Sequence, residues 1–376
     1  MISPTFDVVI AGAGIVGAAC AAEFAQAGLR VAVVEPSPIG GGATAAGMGH
    51  IVVMDDSEAQ FALTHYSQQL WNNLLPSLPD DVQFQRSGTL WIAEDDDEMA
   101  EVHRKYAYFT ARGVPVEVLD SPSLAQAEPN LSPTLAGGLL NPGDSVLYPP
   151  CAARFLLETA QRSHAVLFLA NRVQSLSGQS TTLDDGTTLS SAFSINATGT
   201  WAPSLTPGWN VRKRKGHLII TDRYPGFVRH QLVELGYLKS AHANQSDSVA
   251  FNVQPRPNGQ ILLGSSRQFG DDSSTIDSAI LNRMIARALH FMPSLANLAA
   301  IRSWTGFRAA TPDKLPLIGP CPENPSLLLA TGHEGLGITT SLATARLLAD
   351  HVLGRTPAIP ASPYLPSRSY QEVIHA

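Results

Sequence analysis

The sequence is poor in cysteine, in positive charge and in long apolar runs. Its three cysteines, Cys20, Cys151 and Cys321, lie far apart in 376 residues and form no C-x-x-C pair. Neither a disulfide framework nor a zinc site is therefore indicated. Lysine and arginine number 25 against 32 aspartates and glutamates, and the net charge of -7 argues against a general nucleic-acid-binding protein.

The apolar run at residues 8–22 lacks the features of a secretory signal or a transmembrane helix. No lysine or arginine precedes it, glycines interrupt it, and its fifteen residues are too few to cross a bilayer. The cytoplasm is therefore the expected location. The length of 376 residues predicts two or three domain-sized units, and a hydrophobic content of 44% is ample for a large core.

The N-terminal segment carries a glycine motif that is typical of dinucleotide binding. Residues 8–10 are apolar and β-branched, as expected for a strand buried on both faces. Gly12, Gly14 and Gly17 follow with the G-x-G-x-x-G spacing. The first glycine permits a tight turn, the second lets the backbone approach a pyrophosphate, and the third lets a helix pack closely on the strand.

The residues after this motif complete the dinucleotide pattern. Residues 15–27 are predicted to form a helix, with Gly28 just beyond its end. The helix N-terminus offers unpaired N–H groups and a positive dipole end to a phosphate. A second apolar strand ends at Glu35, whose carboxylate can accept hydrogen bonds from an adenosine ribose. The ordered series favours a dinucleotide site over an ordinary glycine-rich turn.

Two further glycine-rich stretches indicate a long, deeply buried cofactor. Residues 36–50 contain five glycines, which let the backbone lie against a ligand, and Thr44 can bond a phosphate. A simple nicotinamide enzyme would be expected to continue directly into its next crossover here. Residues 331–339 follow a predicted strand at 327–330 and lead into a helix through about Leu353. This second helix N-terminus could face an electron-rich ring edge.

From about residue 80 the chain is predicted to leave the first domain twice. The first excursion has strands at 86–93 and 137–140 with a surface helix at 95–112 between them. A helix at 149–163, a buried strand at 166–169 and a strand at 193–199 then return the chain to the first domain. The second excursion has antiparallel strands at 217–221, 249–254 and 260–265 and an amphipathic helix at 276–291. The basic run at 212–215 could be an anion site, although a solvated strand entrance is favoured.

Three motifs together resemble one family. GAGIVG…VVE, INATGTWA and WTGFRAATPDKLPLIG…ATGHEGLGIT are similar to motifs of the FAD-dependent oxidoreductases of the D-amino-acid oxidase, glycine oxidase and sarcosine oxidase superfamily. The resemblance spans essentially the whole chain. It implies an α/β fold in which a discontinuous, Rossmann-like FAD-binding domain comprises residues 1–80, 145–210 and 300–376. An α+β substrate domain with a mixed or antiparallel sheet then comprises 81–144 and 211–299.

The segments 236–240, 251–256 and 263–268 resemble the β-subunits of opine oxidase, hydrogen cyanide synthase and D-hydroxyproline dehydrogenase. This resemblance implies dehydrogenation of a small amino or imino acid, with cis-4-hydroxy-D-proline or D-proline as the type substrate. Electrons would pass to partner subunits of a hetero-oligomer or to a quinone pathway, and such partners could hold the protein at the inner membrane. The alternatives are a free-standing glycine, D-amino-acid or sarcosine oxidase that produces peroxide, and a non-catalytic flavin electron-relay subunit.

The same resemblance assigns FAD-binding residues by motif position. They lie in the glycine-rich segments and the strand ends beside them: Gly12, Gly14, Ile15, Val16, Gly17, Glu35, Pro36, Gly42, Ala43, Thr44, Gly47, Met48, Gly49, Val173, Ala197, Thr198, Gly199, Trp201, Gly332, Gly335, Leu336, Gly337, Ile338 and Thr339.

Three residues are assigned to the substrate in the same way. Arg308 falls where the family places the arginine that binds the substrate carboxylate, and the alternative is a structural ion pair. His50 should lie near the flavin ring, or serve as a core histidine, and Tyr237 should close over the substrate or pack in the sheet. His333 is structural or flavin-adjacent. Sarcosine-oxidase-like enzymes carry a lysine by the flavin that promotes reaction with oxygen, and the similar strand at 260–264 has none, which favours a dehydrogenase.

Overall fold

The computed structural model describes residues 5–236 and 247–368. In that part of the chain the strands are β1 (Thr5–Ala11), β2 (Val31–Glu35), β3 (His50–Ile51), β4 (Thr89–Ala93), β5 (Glu117–Asp120), β6 (Gly137–Asn141), β7 (Ser145–Val146), β8 (Val166–Leu169), β9 (Val173–Leu176), β10 (Ser180–Leu183), β11 (Thr188–Asn196), β12 (Arg212–Arg223), β13 (Gln231–Glu234), β14 (Ser248–Pro255), β15 (Gln260–Arg267), β16 (Ala300–Ala310), β17 (Leu317–Cys321) and β18 (Asn324–Thr331). The α-helices are α1 (Ile15–Gln26), α2 (Ala43–Ala46), α3 (Glu58–Leu74), α4 (Asp96–Thr110), α5 (Ser121–Ala127), α6 (Pro149–Arg162), α7 (Ala202–Leu205), α8 (Ser278–Phe291) and α9 (Gly337–Val352).

The first mixed sheet has the strand order β17-β18-β11-β1-β2-β8, and the hairpin β9–β10 pairs onto β11. Strands β18, β11, β1, β2 and β8 are parallel to one another. Val8 and Ile10 of β1 point into one core and Val9 and Ala11 into another, and all four are fully buried. The predicted strand at 8–10, buried on both faces, is confirmed, as is the α/β fold class.

Strand β8 lies at the edge of this sheet and is more exposed than its apolar sequence predicts. Val166 and Leu169 are 44% and 46% exposed. The expectation of a buried strand was wrong, because β8 pairs only with β2 and has no second neighbour.

The second mixed sheet has the order β16-β12-β15-β14-β13-β4-β6-β5, so it unites strands from both predicted excursions. The parallel pair β13–β4 joins the two groups, and the other neighbours are antiparallel. Helix α8 packs on this sheet through a stacked pair of rings, Phe251 and Phe291, whose centroids are 4.8 Å apart. The domain boundaries remain a prediction. Strand β16 lies in the second sheet, although the predicted boundary at 300 assigns it to the first domain.

The short ribbon β3–β7 fixes the backbone around His50. His50 pairs with Val146 across the ribbon. The hydroxyl of Thr339 in α9 donates to the carbonyl oxygen of His50 at 2.9 Å and accepts the N–H of Val52 at 3.3 Å. Among helices of the described residues, none combines the length and apolar character needed to span a bilayer.

Candidate active site

The glycine motif forms the tight turn between β1 and α1. Gly12 has a φ of +103°, and a Cβ atom added to it would lie 2.7 Å from the carbonyl oxygen of Ala197 at the end of β11. A Cβ atom on Gly17 would lie 2.0 Å from the carbonyl oxygen of Gly12. Larger residues would therefore force α1 away from β1. The first and third glycines of the motif have the structural roles that the sequence predicts.

Two polar side chains from outside the motif reach this turn. The carboxylate of Glu35 accepts the N–H of Ala13 at 2.7 Å and the N–H of Ser37 at 2.9 Å. The hydroxyl of Thr44 accepts the N–H of Ile15, the first residue of α1, at 3.0 Å. The strand-end acid and the second glycine-rich loop thus converge on the N-terminus of α1, where a phosphate is stabilised by the helix dipole.

Other residues predicted to bind the cofactor gather at the same edge of the first sheet. Strands β1, β11 and β18 are parallel neighbours, so their carboxyl ends lie together. The carbonyl oxygen of Gly199, after β11, accepts the hydroxyl of Thr331 at the end of β18 at 3.0 Å. A Cβ atom on Gly47 would lie 3.0 Å from Cδ1 of Ile338 in α9, so the second and third glycine-rich segments also touch. Ligands of parallel α/β sheets bind at this edge.

The remaining predicted cofactor residues differ in exposure. Val173 is buried in β9, Met48 is buried, and Pro36, Gly42 and Ala43 are exposed. Trp201 is 59% exposed and lies beneath the ammonium group of Lys213, which is 5.1 Å from its ring centroid. The individual cofactor assignments remain predictions.

A cleft of about 820 Å³, including its open mouth, lies between the 333–336 loop and the second sheet. Apolar walls are provided by Val52, Met54, Trp91, Val233 and Leu336, and Arg308 and His50 also line it. A concave site with apolar walls and a few convergent polar groups is typical of small-molecule binding. The structure therefore brings together two of the three residues predicted to contact substrate. The third, Tyr237, lies outside the described residues.

Arg308 is held in the cleft by strand β12 beneath it and by strand β15. Its Nη1 donates to the carbonyl oxygen of Ser266 at 3.0 Å. A Cβ atom on Gly216 of β12 would lie 2.5 Å from Nη1 and 3.0 Å from both Cζ and Nη2. The guanidinium therefore occupies the space that a side chain at position 216 would need. Sequence reasoning missed Gly216, because an isolated glycine in a strand carries no sign of what fills its gap.

A buried histidine supports the strand to which Arg308 binds. Nδ1 of His217 lies 2.9 Å from the hydroxyl of Ser266, and its Nε2 accepts the N–H of Asp277 at 3.0 Å. Because Nε2 accepts, the proton of the neutral ring is on Nδ1 and is donated to Ser266. Burial lowers the pKa of His217, and the positive charges of Lys215 and Arg308 act in the same direction. Sequence reasoning missed this histidine as well.

His50 and His333 are neutral at physiological pH. The pKa of His50 is lowered to about 4, chiefly by burial of the ring and also by the charge of Arg308, against the amide of Gln254, which raises it. Burial lowers the pKa of His333 to about 3, and its Nε2 is 3.0 Å from the hydroxyl of Thr344. Arginine and lysine therefore provide the positive charge of this cleft.

The basic run at 212–215 contributes to the cleft instead of forming a solvated strand entrance. Arg214 is 4% exposed and forms an ion pair with Glu334, and Arg267 of β15 is 4.0 Å from the same carboxylate. Lys215 is fully buried and pairs with Asp271 at 2.7 Å. The favoured expectation was wrong for Arg214 and Lys215, because β12 lies inside the sheet between β16 and β15.

A glycine-rich turn between a strand and a helix, beside a cleft lined by arginines, is typical of a dinucleotide-dependent oxidoreductase. The chain belongs to the DAO family of FAD-dependent oxidoreductases, whose profile matches residues 7–351. The cofactor is FAD, and the turn around Gly12 with the N-terminus of α1 fits its pyrophosphate.

Similar proteins cover nearly the whole chain. Glycine oxidase from Geobacillus kaustophilus is 27% identical over 98% of both chains. Hydrogen cyanide synthase subunit HcnC from Pseudomonas aeruginosa is 28% identical over 98% of this chain and 97% of the relative. The solved structure of the Geobacillus glycine oxidase has a TM-score of 0.86 at 25% identity, covering 96% of this chain and 98% of that one. L-proline dehydrogenase from P. horikoshii shares the fold, with a TM-score of 0.87 at 23% identity over 99% of both chains.

Proposed function

We propose that this protein is an FAD-dependent dehydrogenase of a small amino or imino acid. In the proposed reaction the carbon that bears the amine loses a hydride, and the product is the imine. The observation that carries the proposal is the position of Arg308 in the cleft, where a planar guanidinium can bind a carboxylate through two hydrogen bonds. The relatives named glycine oxidase and hydrogen cyanide synthase subunit support an amino-acid substrate.

The bound flavin supplies the acceptor for two electrons. Arg308 holds the substrate carboxylate and so fixes which bond of the adjacent carbon faces the flavin, and positioning of this kind can remove several kcal/mol from a barrier. Positive charge around the site favours the neutral form of a bound amine. A neutral amine can lose the hydride and become an iminium ion without a protein base, so no residue is assigned that role. His50, which is neutral, contributes to the polar wall near Arg308.

The type substrate that we propose is cis-4-hydroxy-D-proline or D-proline, and the electrons pass to partner subunits or a quinone. This choice is supported by the similarity of segments 251–256 and 263–268 to β-subunits of dye-linked dehydrogenases, and by a relative that is itself named as a subunit. Anaerobic titration of the yellow protein with glycine, sarcosine, and D- and L-proline and hydroxyproline tests it. Bleaching by a D-imino acid, with slow recovery in air, is the expected result.

A free-standing oxidase is the second candidate, and the glycine oxidase relatives favour it. It predicts fast recovery of the flavin absorbance in air, with one peroxide formed per turnover. A flavin subunit that only relays electrons predicts no bleaching by any amino acid, even in an assembled complex. The same titration therefore separates the three functions.

Substitution of Arg308 by methionine tests the carboxylate assignment. Loss of two charge-assisted hydrogen bonds should lower kcat/KM by about 100-fold or more, mainly through KM. Arg302→Met is the matched control, because Arg302 lies on the same strand, β16, but is exposed. Equal kinetics in the two variants would remove Arg308 from the substrate site.

A further inference from the structure

Three arginines of the cleft project from one face of three adjacent strands. Arg214 of β12 is the direct cross-strand partner of Arg308 of β16. The bridge between Lys215 and Gln268 places Gly216 of β12 opposite Arg267 of β15. Alternate residues of a strand share a face, and so do direct cross-strand partners, so Arg214, Arg267 and Arg308 lie on the same face.

The described residues that line the cleft carry a surplus of positive charge. The lining contains the cations Arg214, Arg267, Arg308 and Lys314 and the carboxylates Asp56 and Glu334, so the charges of the lining side chains sum to +2 with the histidines neutral. Glu334 is shared, since its Oε1 pairs with Arg214 and lies 4.0 Å from Nε of Arg267. A single substrate carboxylate would balance only one of the two surplus charges.

Arg214 has a buried side chain with a hydrogen-bond donor that could serve an anion. Its side chain is 4% exposed, and its guanidinium lies 4.4 Å from the ring centroid of Phe269. One edge of the guanidinium pairs with Glu334, whereas the buried Nε has no hydrogen-bond partner among the described residues. A buried donor left without an acceptor is unfavourable, and an oxygen of a bound anion would relieve it.

We propose that Arg267 and Arg214 form a second carboxylate subsite beside Arg308. The preferred ligands of the cleft are then amino acids that carry two carboxylates, one bound by Arg308 and the other by this subsite. The inference rests on the proposed dehydrogenation of an amino acid but departs from the proposed type substrate, because hydroxyproline has one carboxylate and would leave the second subsite without its anion. The shared Glu334 limits the subsite to about one additional negative charge.

The first test compares two ligands that differ only in charge and cannot be oxidised as amines. Succinate and its monoamide, succinamate, have nearly the same shape, and their dissociation constants for the oxidised holoenzyme are measured from the perturbation of the flavin spectrum. Succinate should bind at least about tenfold more tightly, which corresponds to one charge-assisted hydrogen bond. Equal affinities would overturn the proposal and leave the surplus charge to balance the negative charge of the reduced flavin.

Two variants with opposite expected effects protect the test against simple misfolding. Arg267→Gln should reduce the preference for succinate to nearly one, whereas Glu334→Gln, which removes the shared anion, should increase it. A damaged fold would lower the preference for succinate in both variants, whereas the proposal requires it to rise in Glu334→Gln. A lower preference in both variants would therefore overturn the proposal. Arg302→Gln, which removes the same charge from an exposed position, should leave the preference unchanged.

The proposed function is tested separately by anaerobic titration with glutamate and glutamine, each as both enantiomers, beside the amino acids already named. If glutamate reduces the flavin at lower concentration than glutamine, both proposals are supported. If the two amino acids are equivalent, the second subsite fails while the dehydrogenase stands. If no amino acid bleaches the flavin but succinate still binds preferentially, the subsite stands and the proposed function fails.

Discussion

Substitution of Gly216 by alanine should impair carboxylate binding without disturbing the fold. The added methyl group would lie 2.5 Å from Nη1 of Arg308 and 3.0 Å from Cζ and Nη2. These atoms form the free end of a long side chain, so the guanidinium should move and the backbone of β12 should stay in place. Residue 216 has no φ in the left-handed region, so alanine introduces no backbone strain there.

The size of the effect follows from the displacement. Moving Nη1 from 2.5 Å to an ordinary contact of 3.4 Å shifts the guanidinium by about 0.9 Å. A shift of that size takes a hydrogen bond of normal length beyond about 3.5 Å, where it contributes little. Each charge-assisted hydrogen bond is worth about 1.5–3 kcal/mol, so the loss of one lowers kcat/KM by about 10- to 100-fold.

The assay is steady-state kinetics with the best amino-acid substrate, together with the FAD content and the Tm of each variant. Gly216→Ala should keep its flavin and melt within a few degrees of the parent, while KM rises. Gly143→Ala is the matched control, because its methyl group would meet its nearest neighbour, Oδ1 of Asn141, at 3.4 Å. An unchanged KM in Gly216→Ala, or an equal change in Gly143→Ala, would refute the positioning of Arg308 by this gap.

Three other predictions concern the cofactor and pH. Gly12→Ala should purify with less FAD, because the residue has a φ of +103° and its Cβ would lie 2.7 Å from the carbonyl oxygen of Ala197; a normal ratio of flavin to protein absorbance would contradict this. The pH profile of kcat/KM should show no ionisation of His50 near pH 6.5, since burial lowers its pKa to about 4, and a pKa there that disappears in His50→Asn would be the contrary result. Burial raises the pKa of Asp144 from 3.8 to about 7, so the carboxyl stabilises the fold below about pH 4 and loses that contribution as pH rises through 7. At pH 8 the free energy of unfolding of Asp144→Asn should therefore be up to about 4 kcal/mol larger than that of the parent. Plots of Tm against pH that run parallel for the variant and the parent from pH 5 to 8 would exclude the effect.

The fold class and the cofactor could be predicted from the sequence because their signals are local. Gly17 is needed for a contact with Gly12 that is made within one strand, one turn and one helix, and Gly12 has the φ of +103° that the turn requires. Glu35 lies only 22 residues after Ala13, whose N–H it accepts. Strands and helices of this kind follow from periodicity and from glycine stereochemistry. The resemblance of three such motifs then identified FAD.

The charge of the cleft could not be predicted because the partners of its arginines are remote. Four successive basic residues look like a solvated run, but Arg214 pairs with Glu334, 120 residues away, and Lys215 pairs with Asp271, 56 residues away. Burial of β12 depends on strands β15 and β16, which only the completed sheet places on either side of it. A sequence pattern cannot distinguish a solvated cation from one whose anion arrives through tertiary structure.

The pairing of β12 with β16 connects the proposed carboxylate site to the second glycine-rich loop. Gly216 and Gly306 are direct cross-strand partners, and each makes room for a different group. The guanidinium of Arg308 fills the space at Gly216, whereas a Cβ atom on Gly306 would lie 2.2 Å from Cβ of Ala46, in the second glycine-rich loop. A one-residue slip of either strand would move its own glycine gap to the other face of the sheet. The distance between Arg308 and the second glycine-rich loop is therefore set by the register of the strand pair. If Arg308 binds the substrate carboxylate as proposed, Gly216 and Gly306 govern the alignment of substrate with flavin.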